Sequence, residues 1–165
     1  MICKNIKHSI FLSVLFFVGS AQGGYAQDAP DMEAVPEMQT ASFIPPFDFP
    51  IVFSGNFGEI RANHFHGGLD FKTGGAIGKP VRALADGYIS RIRVTHGSGY
   101  VLDVDYDNGY STINRHLSAF VGDIARRVKD LQYEKESWEV EITPEPGEYP
   151  VKAGQVIALS GNTGY

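Results

Sequence analysis

The chain is 165 residues long, with 14 Lys and Arg against 19 Asp and Glu, 43% hydrophobic and 12% aromatic residues, 19 Gly, 9 Pro and a single Cys. That composition is ordinary for one globular domain and excludes a chain disordered throughout, a collagen-like repeat and a disulfide scaffold. A net charge of -5 argues equally against a nucleic-acid binder held by a basic footprint.

Lys4 and Lys7 precede an apolar run over 10–18, and small residues follow over 19–26. This order predicts a secretory signal over 1–26, cut after Ala26, with Ala21 as the competing position. A membrane anchor needs roughly 20 apolar residues, and this run is shorter. The mature chain is therefore expected to lack a membrane span and to be exported to the periplasm, the cell envelope or the medium. Cys3 stands before the apolar run, which does not suit a lipid attachment site, and it leaves with the signal. With no cysteine remaining, any metal must be held by His and carboxylates.

Residues 27–47 mix Pro, Ala and acidic residues without a sustained period and read as a linker or arm lying along the domain that occupies 48–165. Short β-type runs then follow over 80–84, 87–94, 100–106, 110–115, 138–142 and 156–159, punctuated by Gly, Asp and Asn. Between them, Ile124, Val128 and Leu131 recur at helical spacing, and Asp123 is placed to cap that segment. The pattern predicts an all-β fold, mainly of antiparallel sheets, with one short helix around 123–136. The tetrads at 80–83 and 150–153, each Pro-Val-basic-Ala, suggest that one turn-into-strand device is used at both places.

Asn108-Gly109 favours a tight two-residue hairpin turn. Pairing outward from that turn sets Asp105 opposite Thr112, Val104 opposite Ile113 and Asp103 opposite Asn114. Alternation then gives two faces. Tyr100, Leu102, Val104, Tyr106 and Ile113, with Arg115 at the end, form a core face. Asp103, Asp105, Thr112, Asn114 and His116 form what is expected to be the floor of a polar groove.

The chemistry is concentrated in Asn63-His64-Phe65-His66-Gly67-Gly68-Leu69-Asp70. In an extended segment His66 and Asp70 share a face, and the glycines between them leave space. An imidazole and a carboxylate so placed could supply two of the three protein ligands of a catalytic zinc site; taken alone, the spacing is met equally by an ordinary surface pair. His64 shares that face and reads as a groove-lining residue or one that supports the ligands. His96 lies in a Gly-rich turn and is expected to be solvated. His116 ends a strand on the polar face, where an imidazole suits general acid–base work near neutral pH.

Taken together and in order, FGEIRANHFHGGLDF, GKPVRALADGYISRI, NGYSTINRHLS and VKAGQVIALSGNTG closely resemble the lysostaphin/LytM-type zinc metalloendopeptidases, which cut peptide cross-links of bacterial cell walls. The resemblance covers roughly 53–165. It implies a duplicated barrel-sandwich type of β fold, one zinc ion, peptidoglycan peptides as substrate, His66 and Asp70 as zinc ligands, and His116 as a catalytic histidine. Asn114 stands where the family commonly has tyrosine. The family's closing His-x-His, which holds a second catalytic histidine and the third zinc ligand, would fall after Tyr165, so residues 27–165 alone are expected to bind zinc weakly and to show little peptidase activity.

The alternative function is a non-catalytic domain of the same type that binds cell wall or regulates another wall hydrolase. A lipoyl- or biotinyl-type carrier is disfavoured, because it needs a modifiable Lys at a hairpin tip and the tip here is Asn108-Gly109.

Overall fold

A computed structural model describes residues 2–4 and 42–164. The export signal expected over 1–26 falls outside the described residues except for Ile2–Lys4, as does the expected arm up to residue 41. Ile2–Lys4 (β1) runs antiparallel to the strand at Ser111–Leu117.

The elements that follow are β2 (Phe53–Gly55), β3 (Asp70–Phe71), β4 (Pro80–Arg82), β5 (Gly87–Thr95), β6 (Gly99–Tyr106), β7 (Ser111–Leu117), β8 (Ala119–Phe120), α1 (Gly122–Glu134), β9 (Val140–Ile142), β10 (Pro150–Val151) and β11 (Val156–Leu159). They form a six-stranded sheet in the order β1-β7-β6-β5-β10 with β9 also on β5, a three-stranded sheet β4-β11-β8, and the pair β2-β3. All pairings are antiparallel. The fold is thus mostly antiparallel β with one helix, and among the described residues no sheet closes into a barrel. No helix among these residues is long and apolar enough to cross a membrane.

Alternation fixes the core. Ile89, Ile92 and Val94 of β5 and Leu102 and Val104 of β6 are fully buried and meet Ile157 and Ala158 of β11 in one cluster. α1 covers this cluster with Ile124, Val128 and Leu131, the three residues whose spacing predicts the helix. Asp123 is not its cap: the helix begins one residue earlier, Val121 occupies the capping position without a side-chain bond, and Asp123 lies in the first turn paired with Arg126. A carboxylate there still faces the positive end of the helix dipole. Of the arm, residues 42–47 do lie along the domain. Ile44 N–H donates to Leu84 O at 2.9 Å, Pro46 O accepts from Arg82 N–H at 2.9 Å, and Phe47 is buried.

The hairpin register differs from the expectation by one residue. Asp105 pairs with Ser111, Val104 with Thr112, Asp103 with Ile113 and Leu102 with Asn114. The cause is the turn. Tyr106 N–H donates to Tyr110 O and Gly109 N–H donates back to Tyr106 O, so Asp107, Asn108 and Gly109 form a three-residue loop. Gly109 has φ 81°, whereas Asn108 is not in the left-handed region. A two-residue turn of the Asn-Gly type would need both residues at positive φ, and the three-residue alternative needs only the last. A slip of one residue turns every β7 side chain over. Thr112 and Asn114 therefore enter the core side, and Ile113 joins Asp103 and Asp105 on the outer face.

Candidate metal and catalytic site

The loop between β2 and β3 folds back on itself. Gly58, at φ 78°, donates its N–H to His66 O, His66 N–H donates to Glu59 O, and Ile60 bridges Phe65. This reversal returns His66 to the start of the loop, where its Nδ1 lies 2.9 Å from Asn56 O. A carbonyl can only accept, so Nδ1 carries a proton; in a neutral ring Nε2 then keeps its lone pair, and in a charged ring both nitrogens donate.

That Nε2 faces Oδ1 of Asp70 at 3.2 Å. His66 and Asp70 converge as expected, but by a different route. Only Asp70 is in a strand, and neither Gly67 nor Gly68 takes a positive φ. With a charged ring this contact is an ion pair; with a neutral ring the two facing atoms are both acceptors, which repel unless a cation lies between them. Zinc bonds of about 2.0–2.2 Å at a tetrahedral angle set two donors about 3.4 Å apart. The donor types and their spacing therefore fit two ligands of a zinc ion. Among the described residues no group of three or more His, Cys, Asp and Glu side chains is arranged to hold a metal.

The other Asp70 oxygen, Oδ2, accepts from Arg61 Nη2 at 2.9 Å, and the same nitrogen lies 3.1 Å from Glu59 Oε2. Gly55 leaves the room for this arrangement. It pairs with Asp70 across β2 and β3, where a side chain would collide with both Arg61 and Asp70. A carboxylate oriented through its second oxygen is the usual support for a metal ligand.

Asp70 also lines a cleft of about 350 Å³ whose walls include Asn114, Arg115, His116, Ser160 and Asn162, with Phe47, Phe71 and Leu117 as apolar lining. His116 reaches it through a bulge. Tyr100 pairs with Leu117 while Leu102 pairs with Asn114, so Arg115 and His116 together oppose Val101. The extra residue is accommodated at His116, with φ 58°. Left-handed backbone is unfavourable for a residue with a Cβ, and such residues concentrate at functional sites. The bulge lets Leu117 return to the core while His116 stays exposed at the cleft. His116 N–H donates to Ser98 O at 3.1 Å, and its Nδ1 lies 2.7 Å from Thr163 O.

The remaining sequence-derived candidates separate. Asn114 lines the cleft but is 1% exposed. Its Nδ2 donates to Leu102 O at 3.1 Å and Thr112 Oγ1 at 3.3 Å, and its Oδ1 has no hydrogen-bond partner among the described residues. Asp103 does not share the groove with it. The register places Asp103 on the outer face, where Arg93 Nη2 donates to both of its carboxylate oxygens at 2.7 and 2.8 Å. Asp105 is likewise outside, accepting from the Ser111 hydroxyl, and Thr112 is buried against the Tyr106 hydroxyl. His64 is exposed, its Nδ1 lies 2.6 Å from Asn63 Oδ1, and it is not part of the cleft lining. His96 is exposed in its turn, with its N–H on Glu139.

Arg61, Gly55 and Thr163 are site residues that the sequence reading does not single out. Arg61 stands nine residues before Asp70, a separation with no periodic meaning in strand or helix. Thr163 sits inside the recognised Gly-Asn-Thr-Gly turn, but nothing local links it to His116. No family model and no curated protein matches the chain.

Proposed function

We propose that the protein is a zinc-dependent endopeptidase that hydrolyses peptide cross-links of bacterial peptidoglycan, with this cleft as its active site. The observation that carries the proposal is the His66 Nε2–Asp70 Oδ1 approach of 3.2 Å, with Asp70 and His116 lining the same cleft. The substrate class rests on the four ordered motifs around these residues and their resemblance to the lysostaphin/LytM-type enzymes.

Zinc held by His66 and Asp70 would polarise the scissile carbonyl and acidify a water molecule. The chain's own residues do the rest. Asn56 O fixes the His66 ring so that Nε2 points at Asp70. Arg61 holds Asp70 Oδ2, which keeps Oδ1 turned toward His66. His116, when neutral and with its Nδ1–H on Thr163 O, presents a bare Nε2 that can take a proton from the attacking water and return it to the leaving amine. Asn162 offers polar groups to an extended peptide lying in the cleft, whereas Ser160 is buried and bonded to Lys79 and Gly78.

The test uses the full-length protein, zinc and cross-linked muropeptides. Cleavage is expected to stop on chelation and to return with zinc. His66→Ala and Asp70→Ala should lose zinc binding and cleavage together. His116→Ala should keep zinc and lose roughly 10²- to 10⁴-fold in kcat, the usual contribution of a general acid–base group. Zinc binding that is indifferent to His66→Ala would overturn the proposal.

Phe57, Ile60 and Phe65 favour a second reading, because all are largely exposed on the loop that carries His66. Such side chains suit a non-catalytic domain that docks on wall material or on another hydrolase. Wall binding that survives chelation, with no cleavage by the full-length protein, would support that reading.

A further inference from the structure

His116, which lines the cleft, is held by a residue to which the mechanism above gives only a carbonyl. Thr163 is clamped from two sides. Its Oγ1 donates to Leu117 O at 2.5 Å and accepts from Tyr100 N–H at 3.1 Å. The clamp closes only because residue 99 is glycine. Gly99 has φ 63°, and a Cβ there would lie 1.9 Å from Thr163 Oγ1. Gly164 presses on the same turn, where a Cβ would stand 2.5 Å from Gly99 N. The Thr163 carbonyl is thereby fixed 2.7 Å from His116 Nδ1. The same turn also anchors the bulge, since Ser98 O accepts from His116 N–H and Ser98 Oγ accepts from Arg115 Nη1 at 3.3 Å.

We infer that Thr163 is a positioning residue that fixes the tautomer of His116: its clamped carbonyl holds the imidazole proton on Nδ1 and leaves Nε2 as the bare nitrogen in the cleft. An unrestrained neutral histidine favours the opposite tautomer, with the proton on Nε2, which would offer the cleft a donor in place of a base. The charged side chains that share the cleft with His116 are Asp70 and Arg115. Arg115 is drawn aside to Ser98, and the Thr163 carbonyl is the acceptor at Nδ1. The role assigned to Nε2 rests on the proposed peptidase reading, but the tautomer can be observed without substrate or metal, so the two ideas fail separately.

The experiment is a long-range ¹H–¹⁵N correlation spectrum of the ¹⁵N-labelled full-length protein at alkaline pH, with the His116 signals assigned by their loss in His116→Gln. The wild type is expected to show Nδ1 protonated and Nε2 bare. Thr163→Val keeps the shape of the side chain and removes both Oγ1 bonds, so the Nδ1–H form should give way to the Nε2–H form. Thr163→Ser should retain the wild-type tautomer. Gly99→Ala, which displaces Thr163 from the other side, should reproduce the Thr163→Val spectrum. Wild-type His116 protonated on Nε2 would overturn the inference, as would an unchanged tautomer in a natively folded Thr163→Val protein. In an active preparation, Thr163→Val should lower kcat with little change in KM, and Thr163→Ser should restore it.

Discussion

Gly55 faces Asp70 across the β2-β3 pair, and a Cβ on it would come within 2.4 Å of both the Asp70 carboxylate and the Arg61 guanidinium. The orientation of the proposed ligand is thus set by a residue that has no side chain. Gly55 is not in the left-handed region, so its requirement is one of space alone.

Gly55→Ala should therefore weaken zinc binding without unfolding the domain. Disturbing the groups that orient a metal ligand costs about 10- to 100-fold in affinity. Competition against a chromophoric chelator measures it, and a thermal melt close to that of the wild type would show that the loss is local.

Asp103→Ala should do the reverse. The Arg93–Asp103 pair is mostly buried, with side-chain exposures of 18% and 15%, and lies on the sheet face away from the cleft. Hydrogen bonds to charged groups contribute about 1.5–3 kcal/mol, so urea unfolding should show a loss of that order. Zinc affinity should stay at the wild-type level. A variant that lost zinc binding would restore Asp103 to the groove and refute the hairpin register.

The register has a direct chemical test. The sequence has one natural cysteine, Cys3. In a Cys3→Ser background, a thiol at Ile113 should react readily with a maleimide, because that position is half-buried on the outer face. A thiol at Thr112, fully buried beside Tyr106, should react only as the protein opens. The two-residue turn predicts the opposite order of reactivity.

A pH effect is expected far from the cleft. Asp86 is held below the ordinary carboxylate range, first by the hydrogen bond from Lys152 Nζ at 2.8 Å and then by the N–H of Ala153. Lys152 is raised in turn by the same bond. A carboxylate with a lowered folded-state pKa stabilises the fold above its unfolded value of about 3.9, and the contribution disappears as the pH falls through the folded value. The raised amine stabilises below its unfolded value of about 10.4 and loses its contribution as the pH rises through the folded one. Asp86→Asn should therefore lower Tm modestly between these limits and converge with the wild type in acid. The exposed position keeps the effect small. A difference in Tm that widened in acid would contradict this assignment.

How far the sequence could be read depended on the distance between cooperating residues. α1 was readable because Ile124, Val128 and Leu131 report a period within one element. β6 was readable from the apolar alternation of Leu102, Val104 and Tyr106. The two faces of β7 were not, because a two-residue and a three-residue loop both contain Asn108-Gly109 and differ only in whether Asp107 is inside. The bulge at His116 left no local signature either. Its cause lies in Ser98 and Thr163, which approach from a neighbouring turn and from 47 residues down the chain. The approach of His66 to Asp70 was expected from their spacing in an extended segment, but it is made by the doubled-back loop, the same reversal that brings in Arg61 and Gly55.

The acceptors for the two Nδ1 atoms, Asn56 O and Thr163 O, carry a consequence for how such a site changes over time. A carbonyl survives every substitution of the residue that bears it. The aim of both rings is stored in the path of the main chain, so side chains other than those that set that path, such as Thr163 against the bare Gly99, can drift while the rings hold their bearing. What the site cannot absorb is a change in loop length, because one residue added between Gly55 and His66, or between Leu159 and Thr163, would carry the carbonyl or the ring out of reach.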